Sequence, residues 1–473
     1  MAIIGAGPAG LTAAFVLARG GVAADVFEAS PHLGGMCRSI DLWGHTVDLG
    51  PHRFFSQERA VNALWLDVVG RDYEMVSRLS RIFYRGRLFR YPLDVANVVS
   101  NLGPLEIARC GLDYARQRAR PRRHVETFED WVTSRFGRRL YEIFFKTYSE
   151  KLWGISCRDL SADFAAQRIK QLDLVEVARN ALLGGRRNKH RTLVDEFAYP
   201  LGGTGAVYEK MARRSLELGA RIHRGAPIKK VMVERGRVAG LVLASGESRP
   251  FDVVVSSMPL TAMVRGLDEV PPAVYDAAGR LEFRNTILCY LEVRGAGHFP
   301  DNWVYVHSPS LECGRLTNFA NWTRAPRADA PTTVLCLEYW ANPDDPIWQA
   351  DDAHIIALGR REIAATGLVP NATITNGHVE RIARSYPVYR TGYAEHVATI
   401  RKHLETIDGL HAIGRYGAFK YNNQDHSILM GLRVAESILT GRPANLWDIN
   451  SDDRYQEGAV ITSTGLVSIE RAG

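Results

Sequence analysis

The sequence lacks several features that define whole classes of protein. No apolar run in its 473 residues reaches the roughly 18 to 20 residues of a membrane-spanning helix, so a transmembrane segment is not expected. The chain starts within its first predicted strand, which leaves no room for a signal peptide and predicts a cytoplasmic protein. The absence of internal repeats and low-complexity tracts argues against a repeat or fibrous architecture.

Cysteine is scarce as well. The six cysteines show neither a CxxC motif nor the spacing of metal ligands. We therefore expect no metal site, and we interpret the cysteines as reduced and mostly packed side chains. Cys37 is the only cysteine singled out as a candidate, because it lies beside the glycine pair Gly34-Gly35.

What the chain does have is an ordinary, slightly basic composition. Its 46% apolar and 23% charged residues suit a large core and two or three domains. The formal net charge of +7 is uneven, with basic clusters at residues 116–123 and 186–191 in a region predicted to be helical. Such clusters are usually a solvated face, but they also suit attraction of an anionic substrate or a weak contact with an acidic membrane surface. Nucleic acid is not an expected partner, since no recognised nucleic-acid fold accompanies them. The oligomeric state stays open.

The N-terminal segment is the most informative one. Ile3-Ile4 ends a short apolar strand, Gly5-Ala6-Gly7-Pro8-Ala9-Gly10 follows, and Leu11 to Ala18 continue as an apolar helix. The first glycine permits a tight turn, the second lets the backbone approach a pyrophosphate, and the third lets the helix pack on the strand. The helix N-terminus then presents N–H groups to the phosphates.

A carboxylate completes this pattern. The second strand, Ala24 to Phe27, ends in Glu28, which lies 18 residues beyond Gly10. At this offset a carboxylate accepts hydrogen bonds from an adenosine ribose. Strand, glycines, helix, strand and acid in this order predict a dinucleotide-binding site.

Two further segments favour FAD over NAD as the dinucleotide. Glu28 leads into Ala29 and the pair Gly34-Gly35, which is close enough to reach the phosphates of the same cofactor. Near the other end of the chain, Gly414-Arg415 and residues 423–427 are interpreted as the second half of one flavin site.

These segments resemble the amine oxidase and protoporphyrinogen oxidase superfamily. Along most of the chain the spacing is similar to one family within it, the eukaryotic-type UDP-galactopyranose mutases. With this resemblance, the predicted FAD contacts are Gly5, Gly7, Pro8, Ala9, Gly10, Glu28, Ala29, Gly34, Gly35, Met36, His52, Ile228, Gly414, Arg415, Asn423, Gln424 and Ser427.

The predicted fold class is α/β, with a Rossmann-like FAD-binding domain, an inserted helical domain and a mixed or antiparallel substrate-domain sheet. The order of elements makes the FAD-binding domain discontinuous. The predicted bounds are 1–75, 195–262 and 405–445 for the FAD-binding domain, 95–192 for the helical domain, 76–94 and 263–404 for the substrate-domain sheet, and 446–473 for a poorly ordered C-terminal tail. Within the FAD-binding domain, strands on either side of Arg235-Gly236 are predicted to form a hairpin.

One segment of the mutase resemblance is a loop. Asp48-Leu49-Gly50-Pro51-His52 is similar to the family's Gly-Gly-His loop, whose histidine lies near the flavin and shifts with redox state. Pro51 stands in place of the second glycine, which puts the mobility of the loop in question.

Two other segments repeat the family's tryptophan or tyrosine to arginine intervals. Trp153 is followed fifteen residues later by Arg168, and Tyr305 is followed ten residues later by Arg315. Two planar arginine forks from different segments suit a diphosphate. The resemblance implies His52, Arg168, Arg315, Tyr386 and Tyr421 as catalytic residues, and Trp153, Arg168, Tyr305, Arg315, Tyr386 and Tyr421 as substrate-binding residues. Each taken alone also fits an ordinary core aromatic or surface ion pair.

Two departures from the family pattern concern the nucleotide. The family's uridine-contacting glutamine after Tyr-Pro is Asp94 here, and the asparagine four residues before the tryptophan is Ser149. A pocket that loses two amide contacts holds UDP differently or serves another nucleotide or diphosphate carrier. The diphosphate is therefore better supported than the uridine or the sugar.

The resemblance implies a reaction on a nucleoside-diphosphate sugar. Reduced FAD attacks the anomeric carbon through N5, the nucleoside diphosphate leaves, and the flavin-bound sugar opens and recloses with another ring size. Because the flavin carries most proton transfers, the lack of a Ser-His-Asp combination or a carboxylate pair is expected, and Asp425-His426 is discounted as an acid–base pair. No second dinucleotide motif is present, so any NAD(P)H reductant would bind transiently over the flavin.

Two other hypotheses stay open. One is an FAD-dependent oxidase or dehydrogenase of the wider superfamily, acting on an amine, a porphyrinogen, another small metabolite or a sugar nucleotide. The other is a flavin-binding protein without turnover. The pair Arg168 and Arg315 favours the mutase, since an oxidase of an apolar substrate gains nothing from two buried guanidiniums. An oxidoreductase of a sugar nucleotide would keep both.

Overall fold

The computed structural model describes residues 1–119, 125–164, 196–295, 297–323, 331–371, 373–450 and 459–468. The chain divides into two compact units. The first comprises Met1–Val76, Phe197–Glu282 and Tyr393–Gly473, and the second comprises Ser77–Glu196 and Phe283–Gly392.

The strands of the described residues are numbered in chain order. They are β1 (Ala2–Ile4), β2 (Asp25–Glu28), β3 (Ser39–Leu42), β4 (His45–Asp48), β5 (Tyr73–Ser77), β6 (Ser80–Tyr84), β7 (Arg87–Arg90), β8 (Glu196–Pro200), β9 (Arg221–Arg224), β10 (Ile228–Glu234), β11 (Arg237–Leu243), β12 (Ser248–Pro250), β13 (Val254–Ser256), β14 (Phe283–Arg294), β15 (Trp303–Val306), β16 (Arg315–Asn318), β17 (Thr332–Ala341), β18 (Ile374–Pro387), β19 (Leu410–Ala412), β20 (Ala459–Thr462) and β21 (Gly465–Ser468).

The helices of the described residues are numbered in the same way. They are α1 (Pro8–Arg19), α2 (Arg59–Val69), α3 (Val95–Leu102), α4 (Pro104–Ala119), α5 (Phe128–Phe136), α6 (Arg138–Tyr141), α7 (Thr147–Trp153), α8 (Gly205–Glu217), α9 (Leu260–Arg265), α10 (Pro272–Gly279), α11 (Pro346–Gln349), α12 (Asp352–Thr366), α13 (Tyr393–Leu404), α14 (Gly414–Gly417) and α15 (Gln424–Thr440). None of these helices combines the length and hydrophobicity that a membrane crossing requires.

The first unit is built on a parallel five-stranded sheet in the order β19-β13-β1-β2-β9. The central strand β1 is apolar and buried along its whole length, which is typical of a parallel sheet that is covered on both faces. Helix α1 follows β1 directly and starts with Pro8, whose fixed φ suits the first helical position. The parallel arrangement brings the carboxyl ends of β1 and β2 to the same edge of the sheet.

Smaller antiparallel elements complete the first unit. Strands β10, β11 and β12 form a three-stranded sheet, and the turn between β10 and β11 is Arg235-Gly236, with φ values of 52° and 74°. Positive φ at both turn residues matches the twist of a two-residue hairpin, so the predicted hairpin is confirmed. Within the predicted poorly ordered tail, residues 459–468 need a correction, because β20 and β21 pair antiparallel and Tyr73 OH donates a hydrogen bond to the Thr462 carbonyl at 2.6 Å.

The second unit is built on a mixed seven-stranded sheet in the order β18-β14-β17-β16-β15-β6-β7. Only the β15–β6 pair is parallel. The long central strands β14 and β17 are buried along almost their whole length, and helix α12 packs against the sheet through residues such as Ile355 and Leu358. A parallel sheet in one unit and a separate mixed sheet in the other confirm the predicted fold class.

The domain boundaries differ from the prediction in two places. Helices α3 to α7 belong to the same compact unit as the mixed sheet, because Cys110, Ile143 and Phe144 share a hydrophobic cluster with Ile82 and Phe89 of strands β6 and β7. Residues 263–282 and 393–404 belong to the first unit instead of the substrate-domain sheet. Helices α10 and α13, which these residues form, pack against each other.

Candidate functional site

The first glycine loop has no room for side chains. Gly5 adopts φ +94°, and a Cβ there would overlap the Ser257 hydroxyl, which donates a hydrogen bond to the Ile4 carbonyl at 2.9 Å. A Cβ on Gly10 would overlap the Gly5 carbonyl oxygen. The turn between β1 and α1 therefore requires glycine at both positions, for the reasons that the motif predicts.

The second glycine loop lies against the first. A Cβ built on Gly35 would be 3.2 Å from the Gly7 Cα, and the Gly34 N–H donates to the Ala6 carbonyl at 2.8 Å. Gly414 reaches the same place, since its Cβ would be 3.1 Å from the Ala9 Cβ. Three segments that are far apart in sequence thus present backbone to one another with almost no side chain between them.

Glu28 is at the end of β2, beside this turn. Its carboxylate accepts hydrogen bonds from the backbone N–H groups of Ala6 at 2.7 Å and Ser30 at 2.9 Å. The Ala226 N–H donates to the Glu28 carbonyl at 2.8 Å, which brings the residues before Ile228 and β10 to the same strand end. Glu28 therefore fixes the glycine turn through its carboxylate as well as offering an acceptor at this edge.

These residues fit the dinucleotide part of FAD. The N-cap of α1 is Gly7, which supplies no side-chain cap, so the first-turn N–H groups are presented to a ligand as a phosphate site requires. Ala29 follows Glu28, and Met36 lies in the short 3₁₀ turn Gly35–Cys37. Cys37 is a buried thiol whose pKa is raised to about 12 by burial, so it is not a reactive thiolate. All six cysteines are buried and unpaired by disulfides.

The loop that carries His52 is stabilised by the buried carboxylate of Asp48. Asp48 is fully buried and accepts hydrogen bonds from Ser39 Oγ at 2.5 Å, Tyr199 OH at 2.9 Å and the Thr204 N–H at 3.0 Å. Burial raises the pKa of Asp48 to about 6, although these three residues donate to its charged form. The Thr204 hydroxyl lies 2.8 Å from both Asp48 Oδ2 and the His52 carbonyl, which links the carboxylate to the loop.

His52 itself is oriented by its own loop and by α15. Its Nε2 lies 2.9 Å from the Leu49 carbonyl, and Gln424 Nε2 donates to the carbonyls of Arg53 at 2.9 Å and His52 at 3.3 Å. Tyr208 OH donates to Gln424 Oε1 at 2.8 Å. Gln424 was predicted as a flavin contact, and in this structure its amide holds the histidine loop.

At the start of α15, the predicted flavin contacts Asn423 and Ser427 form hydrogen bonds within the helix terminus. The Asn423 side chain accepts from the His426 N–H, and His426 Nδ1 accepts from the Asn423 N–H at 3.2 Å, which is a reciprocal capping arrangement. The Ser427 hydroxyl donates to the Asn423 carbonyl at 3.2 Å. His426 therefore serves the helix start.

Tyr421 and Arg415 are neighbours in the first unit. The Arg415 guanidinium lies 4.5 Å from the centre of the Tyr421 ring, and its Nη1 donates to the Asn422 carbonyl at 2.7 Å. The tyrosine ring and the guanidinium thus form a cation–π pair in the segment that follows α14.

In the second unit, Tyr305, Arg315 and Glu338 lie side by side on three neighbouring strands of the mixed sheet. Tyr305 of β15 pairs with Arg315 of β16, and Arg315 pairs with Glu338 of β17. Arg315 donates to Glu338 through Nε and Nη2, both at 2.5 Å, and Nη2 lies 3.4 Å from Tyr386 OH. Burial is the largest single influence and lowers the pKa of Arg315, but Glu338, Tyr386 and Tyr148 together outweigh it and raise that pKa, so the guanidinium is charged.

Arg315 keeps one free edge. Within the described residues, its Nη1 has no hydrogen-bond partner, because Glu338 takes the Nε and Nη2 edge. The guanidinium is thus held in one orientation with two N–H bonds left for another acceptor. A guanidinium fixed in this way has the donors that a bound anion would require.

Aromatic rings surround this ion pair. Tyr386 packs edge-on against Trp153 and Trp340, with ring centres 6.2 Å apart in both pairs, and Tyr148 packs edge-on against Tyr305 and Trp340, both at 5.6 Å. Trp153, Tyr305, Arg315 and Tyr386, four of the predicted substrate residues, therefore lie in one cluster.

Two cations, the buried Arg284 and the half-buried Lys151, position the helix that carries Tyr148 and Trp153. Lys151 Nζ donates to the carbonyls of Val306, Ser308 and Cys313 at 3.2, 2.8 and 3.2 Å. Arg284 donates to the Lys151 and Trp340 carbonyls at 3.2 and 2.8 Å. Burial lowers the pKa of both Lys151 and Arg284, which is the cost of using cations to satisfy carbonyls inside the unit.

The two departures from the family pattern are both found at or within helices of the second unit. Asp94 is the N-cap of α3, and its side chain accepts from the Asn97 N–H at 2.8 Å, so an acid at this position stabilises a helix start. Ser149 is a buried residue of α7. Arg168, the basic cluster 186–191 and residues 120–123 of the other cluster lie outside the described residues, and the described ranges contain no cluster of His, Cys, Asp and Glu suited to a metal ion.

Sequence reasoning missed Asp48, Thr204, Glu338 and Tyr148. Asp48 is the first residue of the histidine-loop segment, so its place in a segment with a predicted site residue was a usable signal. Glu338 gave none, since only the register of β16 and β17 pairs it with Arg315.

The comparisons with known proteins agree with this geometry. Over residues 8–439 the chain matches the sequence family described as flavin containing amine oxidoreductase. A coproporphyrinogen III oxidase of Mycobacterium tuberculosis is 24% identical over 423 residues, which cover 85% of this chain and 90% of that protein. A probable UDP-galactopyranose mutase of Klebsiella pneumoniae is 28% identical over 172 residues, which cover 34% of this chain and 42% of that protein.

A solved structure shows the same fold. The crystal structure of a reduced UDP-galactopyranose mutase superposes with a TM-score of 0.83 at 24% identity, covering 95% of this chain and 98% of that chain. Since the family pattern extends over most of the sequence and the glycine loops fit the flavin dinucleotide, the chain belongs to the flavin-containing amine oxidoreductase family and is a flavoenzyme.

Proposed function

We propose that the protein is an FAD-dependent mutase that interconverts the pyranose and furanose forms of a nucleoside-diphosphate sugar. The observation that carries this proposal is the cluster of Tyr305, Arg315 and Tyr386, in which a charged guanidinium with a free edge is flanked by two phenols. Charge-assisted and hydroxyl donors of this kind suit the non-bridging oxygens of a diphosphate. Bound in its reduced form, FAD would supply the nucleophile for the anomeric carbon, and NAD(P)H is the reductant we propose.

The roles of the side chains follow from their contacts. Arg315 would bind one phosphate through Nη1, and the hydroxyls of Tyr305 and Tyr386 would orient the leaving diphosphate. Trp153 and Trp340 pack against Tyr386 and hold its ring in place. His52, whose imidazole and carbonyl are both tied down, would modulate the flavin, and Arg168 and Tyr421 remain proposed contacts of the diphosphate.

A second candidate is an FAD-dependent oxidase. Glu338 favours it, because its carboxylate cancels the formal charge of Arg315 and lowers the attraction of the cluster for a polyanion. The coproporphyrinogen III oxidase relative, which covers far more of the chain than the mutase relative, points the same way. An oxidase would consume oxygen or another acceptor, whereas a mutase leaves the redox state of its substrate unchanged.

The test uses the full-length protein loaded with FAD and reduced anaerobically with dithionite. We would incubate it with UDP-galactopyranose and with UDP-, GDP- and dTDP-linked sugars, and separate the products by chromatography with mass detection. A product of unchanged mass and new retention time supports the mutase. Oxygen consumption with coproporphyrinogen III, together with no isomer from any sugar nucleotide, overturns it in favour of the oxidase.

A pair of tyrosine-to-phenylalanine variants tests whether the Tyr386 hydroxyl takes part in the reaction. Tyr386→Phe removes only the hydroxyl near Arg315 and should reduce kcat/KM by roughly tenfold or more, as expected for a hydrogen bond to a charged group. Tyr339→Phe is the control, because Tyr339 is a buried tyrosine of the same strand as Glu338 and packs in the hydrophobic cluster of the sheet. Equal loss in both variants would assign the effect to folding and remove the support from Tyr386.

A further inference from the structure

The second unit carries a helical surface with exposed leucines. Leu105 and Leu112 of α4 are 65% and 61% exposed, and Val99 of α3 is 42% exposed. The two leucines are seven residues apart, so they lie on one face of the helix. Among the described residues of this unit, every exposed large apolar side chain lies within residues 79–125.

These leucines are not needed to pack the helices. The opposite face of α4 is already engaged, since Cys110 lies in a hydrophobic cluster with Phe89 and Phe144, and Arg139 donates to Glu106 at 2.9 Å. Helix α4 therefore has a satisfied inner face and an apolar outer face that faces solvent. Exposed apolar patches on a soluble protein mark an interaction site more often than chance.

The charge of the same stretch is extreme. In the sequence, residues 79–125 contain ten arginines, three acidic residues and no lysine, a formal charge of +7. Of these arginines, Arg81 is paired with the buried Asp301, and three lie at 120–123, outside the described residues. On α4, Arg109 and Arg116 lie on the same face as the leucines, at positions that alternate with them. Within the described part of the chain, Arg116 and Arg118 have no acidic partner, and the contact of Arg109 with Glu106 is a long 3.6 Å.

We propose that α3 and the outer face of α4 dock on an anionic phospholipid bilayer. Leucines at helical spacing would insert among the acyl chains, and the arginines between them would bind lipid phosphates in bidentate fashion. Attraction of basic side chains to an anionic leaflet adds to the insertion of the leucines. The surface is charge-complementary to such a membrane.

Two other occupants fit the surface less well. A second copy of the chain would bring arginines against arginines in a symmetric contact, which is unfavourable. A nucleic acid would use the arginines, but it gains nothing from exposed leucines, and Tyr91 is the single aromatic among the exposed apolar residues of this unit.

The experiment is vesicle flotation with the full-length, FAD-loaded protein. Vesicles of phosphatidylcholine alone are compared with vesicles containing phosphatidylcholine and phosphatidylglycerol. We expect binding to the anionic vesicles that weakens with added salt. Leu105→Ser with Leu112→Ser should weaken it by roughly tenfold or more, given the apolar area that two leucines insert. Arg109→Gln with Arg116→Gln, the two arginines on the leucine face, should weaken it by a similar factor and remove the preference for anionic lipid.

The control is a matched pair of exposed leucines elsewhere. Leu216 and Leu218, at the end of α8, are 49% and 47% exposed, and their replacement by serine should leave vesicle binding unchanged. Equal melting temperatures of the three variants exclude misfolding as the cause. The proposal is overturned if the wild type does not float with anionic vesicles, or if the Leu105 and Leu112 variant binds them as the wild type does.

Two further outcomes would also overturn it. A change of molar mass in solution caused by the leucine substitutions would assign the surface to a second copy. Retention of an oligonucleotide by the wild type, lost in the arginine variant and not accompanied by vesicle binding, would assign it to nucleic acid.

Discussion

Arg315 and Glu338 face each other across strands β16 and β17 and form a two-point ion pair. Nε to Oε1 and Nη2 to Oε2 are both 2.5 Å, and the Glu338 side chain is only 2% exposed. Removal of one partner from a buried pair of this kind costs about 3 to 5 kcal/mol, because the other charge stays buried without compensation. Truncation of Arg315 to alanine would therefore confuse loss of function with loss of stability.

Glu338→Gln tells the two effects apart by the sign of the change, because it also costs stability but is expected to strengthen anion binding, which loss of stability cannot do. The amide keeps the volume of the side chain but cancels the charge compensation, so Arg315 gains net attraction for an anion. We expect the affinity for UDP to rise by roughly tenfold, while kcat falls because the guanidinium is less firmly oriented. Calorimetric titration with UDP and steady-state kinetics would measure the two changes.

The control for this variant is Glu292→Gln. Glu292 is a buried glutamate of β14 in the same sheet, and its carboxylate accepts a hydrogen bond from Asn376 at 2.6 Å. Its replacement should affect stability without changing the affinity for UDP. If Glu338→Gln leaves UDP binding unchanged, Arg315 is not an anion contact.

Gly10→Ala tests the first glycine loop. A Cβ at this position would overlap the Gly5 carbonyl oxygen, so α1 must shift away from β1, and we expect a loss of about 3 kcal/mol or more in the free energy of unfolding. Gly279→Ala is the matched control, because a Cβ there meets nothing within 4 Å at the end of α10. The control should be neutral or stabilising by up to about 1 kcal/mol. Denaturant unfolding of both variants would decide, and equal stability would contradict the packing described for Gly10.

Glu28→Ala tests the carboxylate beside the turn. The substitution removes the acceptor for the Ala6 and Ser30 N–H groups and for a ribose hydroxyl, so the flavin should bind roughly tenfold to a hundredfold more weakly. The ratio of flavin to protein absorbance after purification, and titration of the apoprotein with FAD, would measure this. Glu209→Ala, which removes an exposed ion pair of α8, should retain its flavin. Full flavin content in Glu28→Ala would show that the carboxylate serves only the turn.

Asp48→Asn tests the buried carboxylate under the histidine loop. Burial raises the pKa of Asp48 from 3.8 to about 6, so its ionisation is disfavoured in the folded state. Its contribution to stability is therefore fully present below about pH 4 and is lost as the pH rises through about 6. Between pH 4 and pH 7 the wild type should lose about 3 kcal/mol relative to Asp48→Asn, at about 1.4 kcal/mol per pKa unit. Denaturant unfolding of both proteins across this range would measure the difference, and a constant difference would mean that the carboxyl group is not titrating there.

Local motifs were readable from the sequence because their geometry is contained in a few consecutive residues. The glycines between β1 and α1, the acid at the end of β2 and the Arg235-Gly236 turn each depend on backbone conformations that adjacent residues dictate. The fold class is confirmed by the two sheets, and the flavin cofactor is supported by the family match, while the individual flavin contacts stay predictions.

Other features were decided by residues that only folding brings together. The ion pair of Arg315 with Glu338 requires the register of two strands, the support of His52 requires Tyr199 and Thr204, and the grouping of α3 to α7 with the mixed sheet requires a shared hydrophobic cluster. The sequence by itself determined the cofactor, since phosphate binding by glycine turns is a local property of the backbone. Only the tertiary structure decided the charge balance around Arg315, because electrostatic and packing interactions depend on distance in space and not on separation along the chain.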